Sequence, residues 1–101
     1  MKLFTIRRRS NWQDKAKLGA TASVSARVGN EEMPDKVRWI RSYVVREADG
    51  RLGTVCIYQA VDEAAIREHA RRAGMSADEI HLVEDTVIVR DDPVQEMAKA
   101  A

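Results

Sequence analysis

Apolar and polar positions change their spacing along the chain, and each change predicts an element. From Lys2 to Arg8 apolar and polar residues alternate, with Leu3, Phe4 and Ile6 as anchors before the run Arg7-Arg8-Arg9. Alternation of this kind predicts a first strand. Ser10 or Asn11 can cap a helix from about Trp12 to Val28, although Gly19 and the many Ser and Thr residues lower its propensity. Gly29, Asn30 and Pro34 are expected to end that helix and form a loop. Val37 to Arg46 is rich in Val, Ile, Trp and Tyr and predicts a strand. Ala48, Asp49, Gly50 and Gly53 interrupt it with turn chemistry, and Thr54 to Ala60 resumes as a second strand. A short polar loop between them predicts an antiparallel hairpin at the centre of the sheet.

At Val61 the period becomes helical. Asp62 is a good N-cap, Ile66, His69, Ala70 and Ala73 form an inward stripe, and Gly74 supplies a left-handed C-cap. Glu63 with Arg67 and Glu68 with Arg72 are i,i+4 pairs on the outside. Ser76 to Glu79 fits a capping box and predicts a short helical turn before a last strand, Ile80 to Val89. The order β, α, β, β, α, β is that of the ferredoxin-like α+β fold: a four-stranded antiparallel sheet with two helices on one face. Residues 1–90 form this domain, and 91–101 are a tail that is either a short helix from Val94 or disordered. Alternation places Val37, Trp39, Tyr43 and Val45 on one side of the sheet and Ile40 and Val44 on the other. Neither side is cleanly polar, so the helix-free face is expected to pack on a second copy as a dimeric α+β barrel or sandwich.

Composition narrows the function classes more than it selects one. The chain has 101 residues, and its 17 basic and 16 acidic groups give a net charge of +1. That balance offers no bulk attraction to nucleic acid or membrane. Cys56 is the only cysteine, which excludes an internal disulfide and a Cys-based zinc cluster within one chain. No apolar run resembles a signal peptide or a bilayer span, so a cytoplasmic protein is expected.

A few side chains carry candidate chemistry. His69, an imidazole on an apolar helix stripe, is the first candidate metal ligand, with a satisfied core histidine as the plainer reading. His81, near Asp78, Glu79, Glu84 and Asp85, is the second, since divalent metals such as nickel accept N and O ligands. Cys56 and Tyr58 share one face of their strand, and Tyr43 can converge with them if the register permits. The three would line a small-molecule or cofactor pocket, or simply pack in the core or at a dimer seam. Arg7, Arg8, Arg9, Arg38 and Arg41 are a candidate basic stripe, but the RNP pattern is absent and nucleic acid is disfavoured. No Ser-His-Asp or Cys-His order suggests a nucleophile, and no pair of groups has a spacing that assigns acid and base roles.

Trp39, Ser42-Tyr43, Cys56 with Tyr58, Ala60 and the segment Ile66 to Gly74 together resemble a small bacterial family otherwise known as a domain of unknown function. One of its members is described as a nickel-binding, ferredoxin-like protein that dimerises. The resemblance spans roughly Val37 to Val89. Where the family typically has Leu-Pro-Ala-Asp after the glycine, this chain has Met75-Ser76-Ala77-Asp78. The resemblance implies a homodimer that binds nickel or another divalent metal. The alternative is a small enzyme of the dimeric α+β barrel kind, acting on an organic substrate in a pocket lined by His69, Tyr43, Tyr58 and Cys56.

Overall fold

A computed structural model describes residues 1–93, so the proposed tail helix from Val94 lies outside the described residues. The chain runs β1 (Lys2–Trp12), α1 (Lys15–Arg27), a π-helical turn (Val28–Glu32), β2 (Val37–Arg46), β3 (Leu52–Ala60), α2 (Glu63–Ala73) and β4 (Glu79–Leu82). The strands form one antiparallel sheet in the order β2-β3-β1-β4. This is the expected βαββαβ arrangement. The hairpin is not its centre, however, because β1 inserts beside β3 and leaves β2 at an edge.

The sequence signals of α2 act as written. The Asp62 carboxylate accepts from the Ala65 amide at 2.8 Å. Gly74 closes the helix at φ 73°, where only glycine is unstrained. Ala65, Ile66, His69, Ala70 and Ala73 are buried on the sheet. Both outer ion pairs form, with Glu68 gripping Arg71 as well as Arg72.

Elsewhere the elements shift for identifiable reasons. β1 continues to Trp12, which pairs with Leu52, so the tryptophan ends a strand rather than starting a helix. The ladder is irregular between Arg8 and Trp12, and Ser10 there takes φ 53°. The α1 cap is therefore Asp14, not Ser10 or Asn11; its carboxylate accepts from the Lys17 amide at 2.9 Å. Gly29 and Asn30 do not end the helical path but continue it as a π-turn, with the Met33 amide donating to the Val28 carbonyl at 3.0 Å. Gly53 lies within β3 rather than in the turn. A Cβ there would come within 2.5 Å of the Arg8 carbonyl oxygen and collide with the Glu47 carboxylate.

The capping box at Ser76 does not form a helical turn. Its groups are engaged elsewhere: the Ser76 carbonyl accepts from Arg8 Nε, the Ser76 hydroxyl from Asn11, and the Glu79 carboxylate from Arg9. β4 stops at Leu82 rather than Val89, and the last backbone bond along this edge runs from the Val83 amide to the Leu3 carbonyl. Residues after Val83 form no ladder, bend at Val89 and Arg90, and reach β2, where Asp92 bonds Arg41 and Tyr43.

A single extra residue decides which side chains face the helices. Trp39 pairs with Tyr58 and Arg41 with Ile57, so Ile40 is a bulge. Past it the alternation flips. Val37 and Trp39 face the helices, but the next residues to do so are Ser42 and Val44, opposite Cys56 and Thr54. Tyr43 and Val45 are turned to the open face, contrary to the simple alternation. The core under the helices comprises Phe4, Ile6, Val28, Met33, Val37, Cys56, Tyr58, Ala60, Ala65 and Ile66.

Candidate functional site

Beneath the helices the core contains a polar layer. Arg8 follows Phe4 and Ile6 on the inward phase of β1 and is only 1% exposed. Its Nε donates to the Ser76 carbonyl at 2.7 Å and its Nη1 to Cys56 Sγ at 3.4 Å. Cys56 Sγ also receives the Ser42 hydroxyl at 2.9 Å, and Ser42 in turn accepts from Trp39 Nε1 at 2.8 Å. Trp39 stacks on Tyr58 with ring centroids 6.1 Å apart.

Tyr58 and His69 carry the layer up to α1. The Tyr58 and Ser25 hydroxyls lie 3.3 Å apart, and His69 Nε2 is 3.0 Å from the Ser25 carbonyl oxygen. A carbonyl only accepts, so Nε2 bears the proton and Nδ1 keeps its lone pair. Gly29 packs beside the ring, where a Cβ would make only ordinary contact, 3.6 Å from His69 Nε2. The tyrosine hydroxyl is pushed up to about 12, chiefly by burial, with the Ser25 hydrogen bond opposing. His69, fully buried, is held below the ordinary histidine range, first by burial and also by the charge of Arg8.

Three buried polar atoms of this layer have no partner: Arg8 Nη2, Thr54 Oγ1 and His69 Nδ1. Arg8 and Thr54 face each other directly across the β1–β3 ladder. Of the expected site residues, Cys56, Tyr58 and His69 thus meet in one layer. Tyr43 and His81 do not join them. Tyr43 is across the sheet because of the Ile40 bulge. His81 pairs with Thr5, which alternates with Phe4 and Ile6 and so faces outward. The two histidines lie on opposite sides of the sheet and share no site within one chain.

Composition gave no hint of Arg8, since a charge in an Arg-Arg-Arg run reads as solvated. The period-two phase of β1 was the signal that places it inside. The proposed basic stripe is dispersed for the same reason. Arg7 pairs with Glu47 at 2.8 Å, Arg9 with Glu79 at 2.7 Å, and Arg41 with Asp92.

The open face is apolar at its middle, with Leu3, Val45, Val55 and Ile57 half-buried and Tyr43 exposed. Beyond β4, Val87, Ile88 and Val89 are 87%, 75% and 81% exposed. No helix among the described residues is long and apolar enough to cross a membrane.

Fold and site together define a small α+β domain with a polar layer under its helices and one sheet face without a helix. The chain belongs to the SCO4226-like family, described as nickel responsive proteins, whose profile matches residues 4–83. It is similar in fold to the crystal structure of SCO4226 from Streptomyces coelicolor A3(2), with a TM-score of 0.65 at 21% identity, covering 84% of this chain and 99% of that one. No curated protein matches the chain.

The residues of one chain do not by themselves fit a nickel ion. Among the described residues no group of three or more His, Cys, Asp and Glu side chains converges. His69 Nδ1 has a lone pair, and its Nε2–H on a backbone carbonyl resembles the support of a ligating histidine. The guanidinium of Arg8 in the same closed layer opposes a dication there. His81 is solvent-accessible, but the neighbouring Glu79 carboxylate is held by Arg9, which pulls it below the usual carboxylate range.

Proposed function

We propose that this protein is a small cytosolic ligand-binding homodimer that binds a divalent metal, nickel by family, at the seam between two open sheet faces. The observation that carries the reading is the open sheet face itself. Leu3, Val45, Val55 and Ile57 form an apolar surface that neither helix covers, and the segment after β4, whose Asp92 reaches Arg41 and Tyr43 on this same face, carries Val87 to Val89 with their side chains in solvent. At about 25 cal/mol per Å², a few hundred Å² of such surface withdrawn from water stabilises association by several kcal/mol.

The seam also answers the shortage of ligands. His81 points to the open face, and a two-fold axis would bring a second copy's ligands toward it, whereas His69 on the covered face works as a tie between α2 and α1. Family membership supports the metal, and the accessible imidazole supports where it binds.

Sedimentation equilibrium of untagged protein at tens of micromolar should give twice the chain mass. Calorimetric titration with nickel should show saturable binding that His81→Ala weakens at least tenfold while His69→Ala leaves it in place. A monomer at that concentration, or nickel binding indifferent to His81, would overturn the reading.

A further inference from the structure

Past the Val83 amide, which bonds the Leu3 carbonyl, the chain leaves the ladder and reaches β2 of the same molecule through Asp92. Between them, Thr86-Val87-Ile88-Val89 is an unbroken run of β-branched residues, the composition of a strand. The run has no ladder, and Val87, Ile88 and Val89 stand largely in solvent. Neighbouring apolar side chains on unpaired backbone are what a free sheet edge recruits.

The sheet ends at β2 on one side and β4 on the other, and among the described residues no strand pairs with the outer side of either. The two edges differ in charge. β2 carries Arg38, Arg41 and Arg46 and no acidic residue, with Ile40 and Val44 exposed among them. Arg38 is bonded to the Gln59 amide oxygen and Arg46 to the Gly50 carbonyl, neither of them a carboxylate. Asp78 and Glu79 stand at β4 instead. The segment after Val83 sets Glu84 and Asp85 before its apolar run and Asp91 and Asp92 behind it, with Arg90 as its single basic residue. Its charge therefore suits β2 and is repelled at β4. Asp92 on Arg41 and Tyr43 is one such contact, made within the chain.

We propose that Glu84 to Asp92 is an exchanged arm: Thr86 to Val89 of one copy adds as a strand to the outer edge of β2 in a second copy, and Asp92 meets Arg41 and Tyr43 there. The exchange rests on the homodimer proposed above and supplies the strand that closes its seam, since Arg41 and Tyr43 lie on the open face. Fully extended, the arm spans about 30 Å, whereas β4 and β2 of one sheet are roughly 15 Å apart, so it has the length to pass beyond its own sheet. Swapping an identical element is a low-cost route to a two-fold dimer, because the contact given up within each chain is remade between chains. Backbone bonds along the added strand supply the affinity, and the flanking charges select β2 over β4.

Charge reversal separates exchange from contact within one chain. Arg41→Glu and Asp92→Arg, both at half-exposed side chains that the fold does not need, each set like charges against each other at this contact. With arms exchanged, a dimer of one Arg41→Glu chain and one Asp92→Arg chain has opposite charges at both of its contacts, while either variant paired with itself has like charges at both. With Asp92 kept on its own chain, mixing changes nothing. The two full-length variants, co-expressed in equal amounts and weighed by native mass spectrometry at low salt, should give mixed dimers as about four-fifths of all dimers, against roughly half by chance. Hydrogen exchange of the wild-type dimer should show the amides of Thr86 to Val89 slowed on the order of a hundredfold. A chance share of mixed dimers would overturn the exchange and leave the dimer standing. Favoured mixed dimers with fast-exchanging arm amides would remove the added strand. A wild-type monomer at tens of micromolar would take away the seam and the exchange together.

Discussion

The two faces of this sheet are unsatisfied in opposite ways. On the covered face, polar groups of Arg8, Thr54 and His69 are buried without partners. On the open face, Leu3, Val45, Val55 and Ile57 have no helix over them, while the charges around them are neatly paired as Arg7 with Glu47 and Arg9 with Glu79. Buried polar groups ask for a ligand or water, and exposed apolar groups ask for a surface. The comparison teaches that one sheet carries two different unmet needs, hydrogen-bond partners on its covered face and apolar contact on its open one.

Equivalent truncations on the two faces sharpen this most. Ile66→Ala beneath α2, where the side chain is fully buried, should cost about 3 kcal/mol in chemical denaturation at any protein concentration. Ile57→Ala on the half-buried open face should cost about 1 kcal/mol in dilute protein and more as concentration rises into the dimer range. Equal, concentration-independent losses would mean that the open face is not a seam.

Gly53→Ala tests how the faces are joined at the edge, since a Cβ would press on the Arg8 backbone and the Glu47 carboxylate that pairs Arg7. A loss of about 2 kcal/mol is expected, within the range of overpacking.

Alkaline pH probes the covered face alone. Tyr58 is raised from 10.0 to about 12 by burial, so between those values the unfolded chain has released a proton that the folded chain retains. Stability is therefore intact below pH 10 and falls as pH rises to about 12, by on the order of 2 kcal/mol. Tyr58→Phe should flatten that slope. Acid gives a smaller effect. Because burial lowers His69 from 6.5, the unfolded chain binds the proton first and stability falls as pH drops below 6.5. His69→Gln should reduce this dependence; an unchanged acid limb would mean another group causes it.

How much could be read in advance depended on where each instruction resides. α2 was legible because Asp62, the apolar stripe and Gly74 are local signals within one element. Cys56, Tyr58 and His69 were legible as neighbours because strand and helix periods both pointed them inward. The length of β4 was not, because a strand ends where its pairing with β1 ends, and that pairing stops at Phe4 with Leu82 although the apolar run continues to Val89. Nor was the placement of Tyr43, since the bulge at Ile40 exists only in the pairing of β2 with β3 and leaves no mark in composition. α1 was misplaced at its start because Ser10 and Asn11 have the chemistry of caps, and only the reach of β1 to Trp12 excludes them and leaves the role to Asp14.

The strand order has a consequence in time. β1 emerges first during synthesis, yet it is an interior strand whose neighbours are β3 and β4: Phe4 waits for Tyr58 on one side and Leu82 on the other. Only the β2–β3 hairpin can close locally, through the Asp49-Gly50 turn. Until β3 follows, β1 presents two unpaired edges, and one stays open until β4; meanwhile Arg8, still hydrated, must be brought into a layer without a carboxylate. Folding of this chain should therefore be slow for its size and vulnerable at its amino-terminal strand, and mutations in β1 should lower the yield of folded protein more than their equilibrium cost implies.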